Sequence, residues 1–134
     1  MTTASGSSLA LVDSSGWIEY LGDGKKADLF APYLEDEQFL LVPSIVFYEV
    51  YKKLLAAADK NPGIRDVPGR FVSHALRARN AVFDVDVAVK AVEASRNQNL
   101  AMADAIVFAT AQLYSANLIT SDRHFVGLPG VTLF

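Results

Sequence analysis

The sequence predicts an α/β sandwich around a mainly parallel sheet. Short apolar runs that suit strands buried on both faces alternate along the chain with segments whose apolar residues have helical spacing. The length of 134 residues suits one domain, and 51% apolar residues against 20% charged ones is enough for a full core. No repeat, linker or low-complexity block interrupts the sequence, so residues 1–134 are expected to form one domain and wholesale disorder is excluded.

In the first half of the chain, each of two predicted strands is followed by helices. Residues 1–8 are rich in Ser, Thr and Gly and are expected to form a frayed tail. Apolar spacing and turn residues delimit the elements that follow. The predicted elements are a strand at residues 9–12, a helix through Trp17 that ends at 22–24, a helix at about 25–34, a strand at 39–42, and a helix from 43–44 through Leu55.

In the second half, the boundaries are less sharply marked. Asn61-Pro62-Gly63 breaks the preceding helix, and Pro68-Gly69 interrupts the next stretch. Asp86 is predicted to cap a helix that runs to about Arg96. The other predicted elements are a helix at residues 71–79, strands at 81–85 and 118–120, a helix at 102–115, and a final edge strand at 131–134.

Composition excludes several classes of site and location. A formal charge of −3 leaves no sequence-wide basic field for a nucleic acid, and the absence of cysteine removes disulfides, zinc–thiolate sites and thiol catalysis. With only two histidines, a histidine-rich metal site is not expected. No basic residue precedes Lys25, and residues 105–121 are too polar for a membrane span, so a cytoplasmic location without a membrane anchor is expected.

Two acidic residues lie at the carboxyl ends of predicted strands, where parallel sheets bind their ligands. Asp13 comes after the first strand, and Asp122 follows the strand at residues 118–120. Each also has an ordinary structural interpretation, because Asp13 can cap the next helix and Asp122 can be a turn residue. Taken alone, Asp13 is more often a helix cap in such a position, and what counts against that interpretation is its place at the mouth of a buried strand.

Two further acids lie on predicted helices. Glu49 is three and four residues from Val46 and Ile45, beside the apolar stripe, although it also has the spacing for an ion pair with Lys53. Asp104 lies in the first turn of its helix, where it would complement the helix dipole. That helix is otherwise so apolar that a carboxylate on it is expected to have a partner, which favours a functional role.

Acids that converge at the strand ends would repel one another and become protonated unless a cation neutralised them. Because cysteine is absent and histidine is scarce, an all-oxygen site suits Mg²⁺ or Mn²⁺. Such ions activate water and stabilise phosphodiester transition states. The neutral side chains of Ser14, Thr120 and Ser121 are expected to hold the carboxylates or their water ligands from behind.

Around these acids, four segments of the sequence resemble PIN-domain ribonucleases, and more narrowly the VapC-like toxins of type II toxin–antitoxin pairs. They match in order, rough spacing and strand or helix setting, and they cover nearly the whole chain from Leu9 to Phe134. The segments are Leu-Val-Asp-Ser-Ser at 11–15, Pro-Ser-Ile-Val-Phe-Tyr-Glu-Val at 43–50, Ala-Asp-Ala-Ile-Val-Phe-Ala-Thr-Ala at 103–111, and Leu-Ile-Thr-Ser-Asp-Arg-His-Phe at 118–125.

The resemblance implies a three-layer α/β/α PIN-like sandwich and an acidic quartet that binds Mg²⁺ or Mn²⁺, made of Asp13, Glu49, Asp104 and Asp122. It implies endonucleolytic cleavage of RNA by metal-activated water, which leaves 5′-phosphate and 3′-hydroxyl ends. It further implies a homodimer held inactive by a small VapB-like antitoxin. Two departures from the family pattern stand out: the helix-breaking stretch at residues 61–69, and the variable turn that carries Asp122.

Residues that contact RNA are sought among cations and aromatic side chains near this quartet. Lysine and arginine would bind phosphates, and an aromatic ring would stack on an unpaired base. For each residue a solvated helix face or a place in the core is the competing interpretation, and His124 is interpreted as a structural turn residue. The candidates are Lys52, Lys53, Arg77, Arg79, Arg96 and Arg123 for phosphate, and Trp17, His124 and Phe125 for stacking.

Three other functions compete with the nuclease. A PIN-like scaffold or antitoxin-binding module with an idle site would have no need of all four acids. A phospho-acceptor signalling domain would want a lysine late in the chain, and none follows Lys90. A phosphatase with an Asp-x-Asp nucleophile fits poorly because Ser15 stands where the second acid belongs.

Overall fold

The computed structural model describes residues 8–134, so all but the last residue of the predicted N-terminal tail lies outside the described residues. Five strands form one sheet: β1 (Ala10–Val12), β2 (Leu40–Pro43), β3 (Arg79–Ala81), β4 (Asn117–Thr120) and β5 (Val131–Leu133). Six α-helices lie within this part of the chain: α1 (Ser14–Leu21), α2 (Ala27–Leu34), α3 (Ser44–Lys60), α4 (Val67–Arg77), α5 (Val85–Gln98) and α6 (Met102–Leu113). None of these helices combines the length and hydropathy needed to span a bilayer.

The sheet is wholly parallel and confirms the predicted three-layer sandwich. Its strand order is β3-β2-β1-β4-β5, with Leu11 of β1 in register with Leu41 on one side and Leu118 on the other. The chain moves outward from β1 to β3, then crosses back to β4. Right-handed crossovers therefore place α1–α4 on one face and α5–α6 on the other, and α5 packs mainly against α6.

The core occupies both faces of the three central strands. Leu11, Leu41 and Leu118 are fully buried, as expected for strands covered by helices on both sides. Trp17 and Phe71 extend the core between the sheet and the first helical layer, with their ring centroids 5.0 Å apart in an edge-to-face arrangement. This packing holds the strands, and with them their carboxyl ends, in fixed positions.

The strand predicted at residues 81–85 is wrong in its extent. β3 ends at Ala81, whose partner Pro43 is the last residue of β2, so no neighbouring strand remains to pair with residues 82–85. The next helix begins at Val85, and Asp84, not Asp86, caps it by accepting a hydrogen bond from the Val87 N–H at 3.0 Å. The apolar run after Ala81 is exposed instead of buried.

The helix predicted at residues 71–79 begins too late and ends two residues past its observed end. α4 starts at Val67 and includes Pro68 in its first turn. Proline is tolerated there because the backbone N–H groups of the first turn have no partner within the helix. It ends at Arg77 because Ala78 is extended and leads into β3. Pro68 therefore lies at the start of the helix, whereas the sequence pattern predicted an interruption there.

Candidate metal centre

The candidate site lies at the carboxyl ends of β1 and β4, which are neighbours in the sheet. From β1 the chain continues to β2 on one side, and from β4 it continues to β5 on the other side. Asp13 follows β1, and its N–H donates to the Ile119 carbonyl of β4 at 3.3 Å. Asp122 follows β4 by two residues. Open α/β sheets bind ligands at such a switch in strand order.

Asp13 is 95% buried, and hydrogen bonds hold both of its carboxylate oxygens. Oδ1 accepts from the Ser15 hydroxyl at 2.6 Å and from the Gly16 N–H at 3.3 Å, and Oδ2 accepts from the Thr120 hydroxyl at 2.6 Å. Capping of α1 and a position in the acidic site are therefore compatible roles of this one residue. A carboxylate held in this way keeps one further lone pair, on Oδ2, for a cation.

The predicted supporting residues lie next to the acids, with one unpredicted addition. Thr120 is fully buried, and its hydroxyl accepts a hydrogen bond from the Asp122 N–H at 2.9 Å. Ser121 acts indirectly, because its N–H and its hydroxyl both donate to the Ser15 Oγ at 3.2 Å. Ser15 was missed as a supporting residue, and its position two residues after Asp13 was the available signal.

Glu49, on α3, faces the other acids. Burial is the main reason that its pKa is raised, and the charges of Asp104 and Asp13 raise it further. Lys53 and the Ser14 hydroxyl act in the opposite direction and lower its pKa. The structure therefore brings Glu49 within the electrostatic reach of two other members of the quartet, and Ser14 lies beside Glu49.

Asp104 and Asp122 complete the cluster. Burial raises the pKa of Asp104, the charge of Asp122 raises it further, and His124 lowers it. The pKa of Asp13 is also raised, first by burial, against hydrogen bonds that lower it, and then by the charge of Asp122. Each acid is thus electrostatically coupled to at least one other, so a cation placed among them would relieve both burial and repulsion.

His124 makes contacts in the site that were not predicted. Its Nδ1 lies 3.0 Å from Asp104 Oδ2 and 3.3 Å from Asp122 Oδ1. Asp122 Oδ1 also accepts from the His124 N–H at 2.9 Å, and Phe125, which is buried, anchors the same 3-10 turn. His124 is a turn residue, as interpreted, but its ring also touches two of the acids.

The donor set suits a divalent cation. Across the described residues, one group of three or more potential ligands, formed by Asp104, Asp122 and His124, has its ligand atoms within 4.8 Å of one another. Asp13 and Glu49 add carboxylates whose own pKa values are raised by the charges of Asp122 and Asp104, respectively. Carboxylate oxygens are the ligands that Mg²⁺ prefers, and an imidazole nitrogen is accepted by Mn²⁺.

Three of the residues predicted to contact RNA have exposed side chains and lie close to the acids in the sequence. They are Lys52, Lys53 and Arg123. Lys53 is one helical turn from Glu49, Arg123 follows Asp122, and the Lys52 ammonium lies 5.6 Å from the Tyr48 ring centroid. The predicted stacking roles of Trp17 and Phe125 are wrong. Trp17 is fully buried against Phe71 and Phe125 is 1% exposed, so neither ring is available to a base.

Two of the arginines predicted to contact RNA lie at the amino ends of the strands, opposite the candidate site. Arg77 forms an ion pair at 2.8 Å with Glu37, which precedes β2, and Arg79 is the first residue of β3. Both therefore lie at amino ends of parallel strands, away from the carboxyl-end site. The Arg79 guanidinium instead lies 5.2 Å from the Tyr114 ring centroid, and Arg96 is exposed near the end of α5.

Comparison with known proteins identifies the PIN domain family, which matches residues 10–130. A toxin–antitoxin complex from Klebsiella pneumoniae contains a chain of 27% identity and TM-score 0.73, with 92% of this chain and 95% of that one covered. VapBC2 from Rickettsia felis bound to a promoter DNA fragment gives 13% identity and TM-score 0.69 (coverage 94% and 97%). DNA-bound VapBC from Salmonella typhimurium has 15% sequence identity and a TM-score of 0.67, with 95% of this chain and 97% of that one covered. No curated protein sequence matches significantly.

Proposed function

The chain belongs to the PIN domain family, and on that premise we propose that it is a metal-dependent endoribonuclease, the toxin of a VapBC-type toxin–antitoxin pair. The observation that supports this most directly is that Asp104, Asp122 and His124 place ligand atoms within 4.8 Å of one another, and that Asp13 and Glu49 interact electrostatically with Asp122 and Asp104, respectively. Burial and mutual repulsion raise the pKa of Asp13, Glu49 and Asp104, which is the electrostatic situation that a divalent cation relieves.

In this proposal Asp13, Glu49, Asp104 and Asp122 hold Mg²⁺ or Mn²⁺. When bound, the ion supplies the positive charge that activates water and stabilises the developing charge on the phosphodiester. Asp13 is the most rigid member, since Ser15, Gly16 and Thr120 hold its two oxygens. Its orientation is therefore set before the substrate arrives, which reduces the cost of reorganisation during the reaction.

The substrate proposed is single-stranded RNA, held by its phosphates. Lys53 and Arg123 are exposed beside Glu49 and Asp122, and Lys52 is exposed next to Lys53. With a net charge of −3, the chain needs these local cations and the bound metal to offset repulsion of a polyanion. Cleavage is expected to leave 5′-phosphate and 3′-hydroxyl ends in cytoplasmic RNA.

The proposed protein partner is a small antitoxin. The Klebsiella pneumoniae toxin–antitoxin complex, whose chain aligns with nearly all of this one at 27% identity, supports this partner. A cationic side chain from such a partner would be attracted by the same acidic cluster that binds the metal. An antitoxin that places one there would displace the metal and block the site.

A second copy of the chain is proposed to pack on α5. Val85, Val89 and Val92 form one exposed stripe on this helix, with exposed fractions of 76%, 58% and 59%. An exposed apolar stripe of this kind suits contact with another chain.

The decisive experiment is cleavage of RNA by the purified chain with Mg²⁺ or Mn²⁺, with mapping of the new ends. Asp104→Asn is expected to abolish cleavage while the protein stays folded. Asp28→Asn is the matched control, because Asp28 is also a first-turn acid but is exposed on α2. Full activity of Asp104→Asn in metal-purified protein would refute the proposal, and a folded chain that binds no Mn²⁺ and cleaves nothing would identify an idle PIN-like module.

A further inference from the structure

The His124 ring lies against the acidic cluster in a geometry that suits a metal ligand. Its Nδ1 is 3.0 Å from Asp104 Oδ2 and 3.3 Å from Asp122 Oδ1. Neighbouring ligands of an octahedral ion with bonds of about 2.1 Å lie about 3 Å apart. The two separations from Nδ1 to the carboxylate oxygens therefore resemble edges of such a coordination shell, and all three ligand atoms lie within 4.8 Å of one another.

The ring is held there by its backbone. Asp122 accepts the His124 N–H at 2.9 Å, and the buried Phe125 side chain fixes the following residue of the same turn. The ring itself is 74% exposed, so packing does not account for its position over the carboxylates. A cation between Asp104 and Asp122 would have the imidazole nitrogen beside it without a change of backbone.

We propose that His124 Nδ1 is a ligand of the metal bound by Asp104 and Asp122, which makes the site a mixed nitrogen and oxygen site that prefers Mn²⁺ over Mg²⁺. The inference rests on the proposed function, since it concerns the metal of that same site. The neutral imidazole binds through Nδ1 and keeps its proton on Nε2. Mg²⁺ favours oxygen ligands and its own water, whereas Mn²⁺ accepts imidazole more readily, so the ring favours Mn²⁺.

A different role for the ring predicts the opposite result. As a donor to both carboxylates, an imidazolium would occupy the place of the metal and compete with it. Removal of the ring would then strengthen metal binding. The sign of the change in Mn²⁺ affinity therefore separates a ligand from a competitor.

The test uses the full chain with Mn²⁺ alone as the probe. Electron spin-echo spectroscopy of bound Mn²⁺ is expected to show coupling to a ¹⁴N nucleus in the wild type and none in His124→Ala. The chain has one other histidine, His74, whose Nε2 lies 2.7 Å from the Leu34 carbonyl, ahead of β2 at the opposite edge of the sheet. Arg123→Ala, in the same turn, is the matched control and is expected to keep the ¹⁴N coupling.

Calorimetric titration completes the test. His124→Ala is expected to weaken Mn²⁺ binding by about tenfold or more and Mg²⁺ binding by less than about threefold. Mn²⁺ bound to the wild type without ¹⁴N coupling, or tighter Mn²⁺ binding by His124→Ala, would overturn the role of His124 and leave the nuclease proposal standing. A wild type that binds no Mn²⁺ while folded would overturn both.

Discussion

The hydroxyl of Thr120 connects two of the four acids. It donates to Asp13 Oδ2 at 2.6 Å and accepts from the Asp122 N–H at 2.9 Å. Thr120 is the last residue of β4 and is fully buried, so the hydroxyl has no access to bulk water. One side chain thus orients the carboxylate after β1 and the turn after β4.

Thr120→Val is expected to weaken Mn²⁺ binding by about tenfold and to lower the free energy of unfolding by about 1–3 kcal/mol. Valine has nearly the same shape but leaves the Asp122 N–H without its acceptor and frees one oxygen of Asp13. Calorimetry and urea unfolding measure the two effects. Thr110→Val is the control, because Thr110 is also buried but bonds the Ile106 carbonyl within α6. Equal losses of metal affinity in both variants would contradict this role of Thr120.

Replacement of Asp13 is expected to separate stability from metal binding. Asp13→Asn removes a buried charge whose pKa is raised in the fold, and asparagine still caps a helix. Without metal, this variant should be at least as stable as the wild type, whereas Asp13→Ala should lose about 1 kcal/mol or more through loss of the cap. Both should lose the stabilisation that Mn²⁺ gives the wild type. Urea unfolding with EDTA and with Mn²⁺ tests this, and an Asn variant as unstable as the Ala variant would contradict it.

The pH dependence of stability has a defined sign. Asp13, Glu49 and Asp104 have raised pKa values in the fold, so the native chain binds more protons than the unfolded chain above the ordinary carboxylate range. Their contribution to stability is therefore present at low pH and is lost as pH rises through the raised values. Thermal unfolding without metal should show the wild type losing stability relative to Asp104→Asn as pH rises above the ordinary carboxylate range. A constant difference between the two proteins would contradict this assignment.

Removal of cations beside the site is expected to weaken RNA binding. Lys53→Gln and Arg123→Gln should each reduce the slope of log affinity against log salt by about 0.7, as for one lost phosphate contact on a single strand. Fluorescence anisotropy with a labelled single-stranded RNA measures this slope. Arg70→Gln is the control, since Arg70 is exposed on α4 and paired with Asp66 at 3.3 Å. An unchanged slope in both test variants would place the RNA elsewhere.

A charge in the middle of the valine stripe is expected to separate two copies of the chain. Val89→Lys should convert a dimer into a monomer at tens of micromolar protein, because an interface centre does not tolerate an unpaired cation. Sedimentation equilibrium measures the mass. Leu76→Lys is the control, with 62% of Leu76 exposed on α4 in the other helical layer. A monomeric wild type, or a dimeric Val89→Lys, would refute the proposed interface.

Periodicity and strand-end position were sufficient to predict the sandwich, most of its elements, and the acids that follow β1 and β4. A strand that is buried on both faces appears in the sequence as a continuous apolar run, whichever strands lie beside it. These features are therefore local. The same local pattern misled at residues 81–85. There the length of β3 depends on where β2 ends, at Pro43, a residue far away in the sequence.

Only the tertiary structure decided which side chains meet. The spacing along α3 and α6 placed Glu49 and Asp104 near apolar stripes. Their approach to the acids that follow β1 and β4 depends instead on how these two helices, from opposite faces of the sheet, pack at the carboxyl ends of the strands. Packing likewise buried Trp17 and brought His124 to the acids. A sequence pattern reports the environment along one element, whereas a site of several segments depends on distances between elements that the sequence does not state.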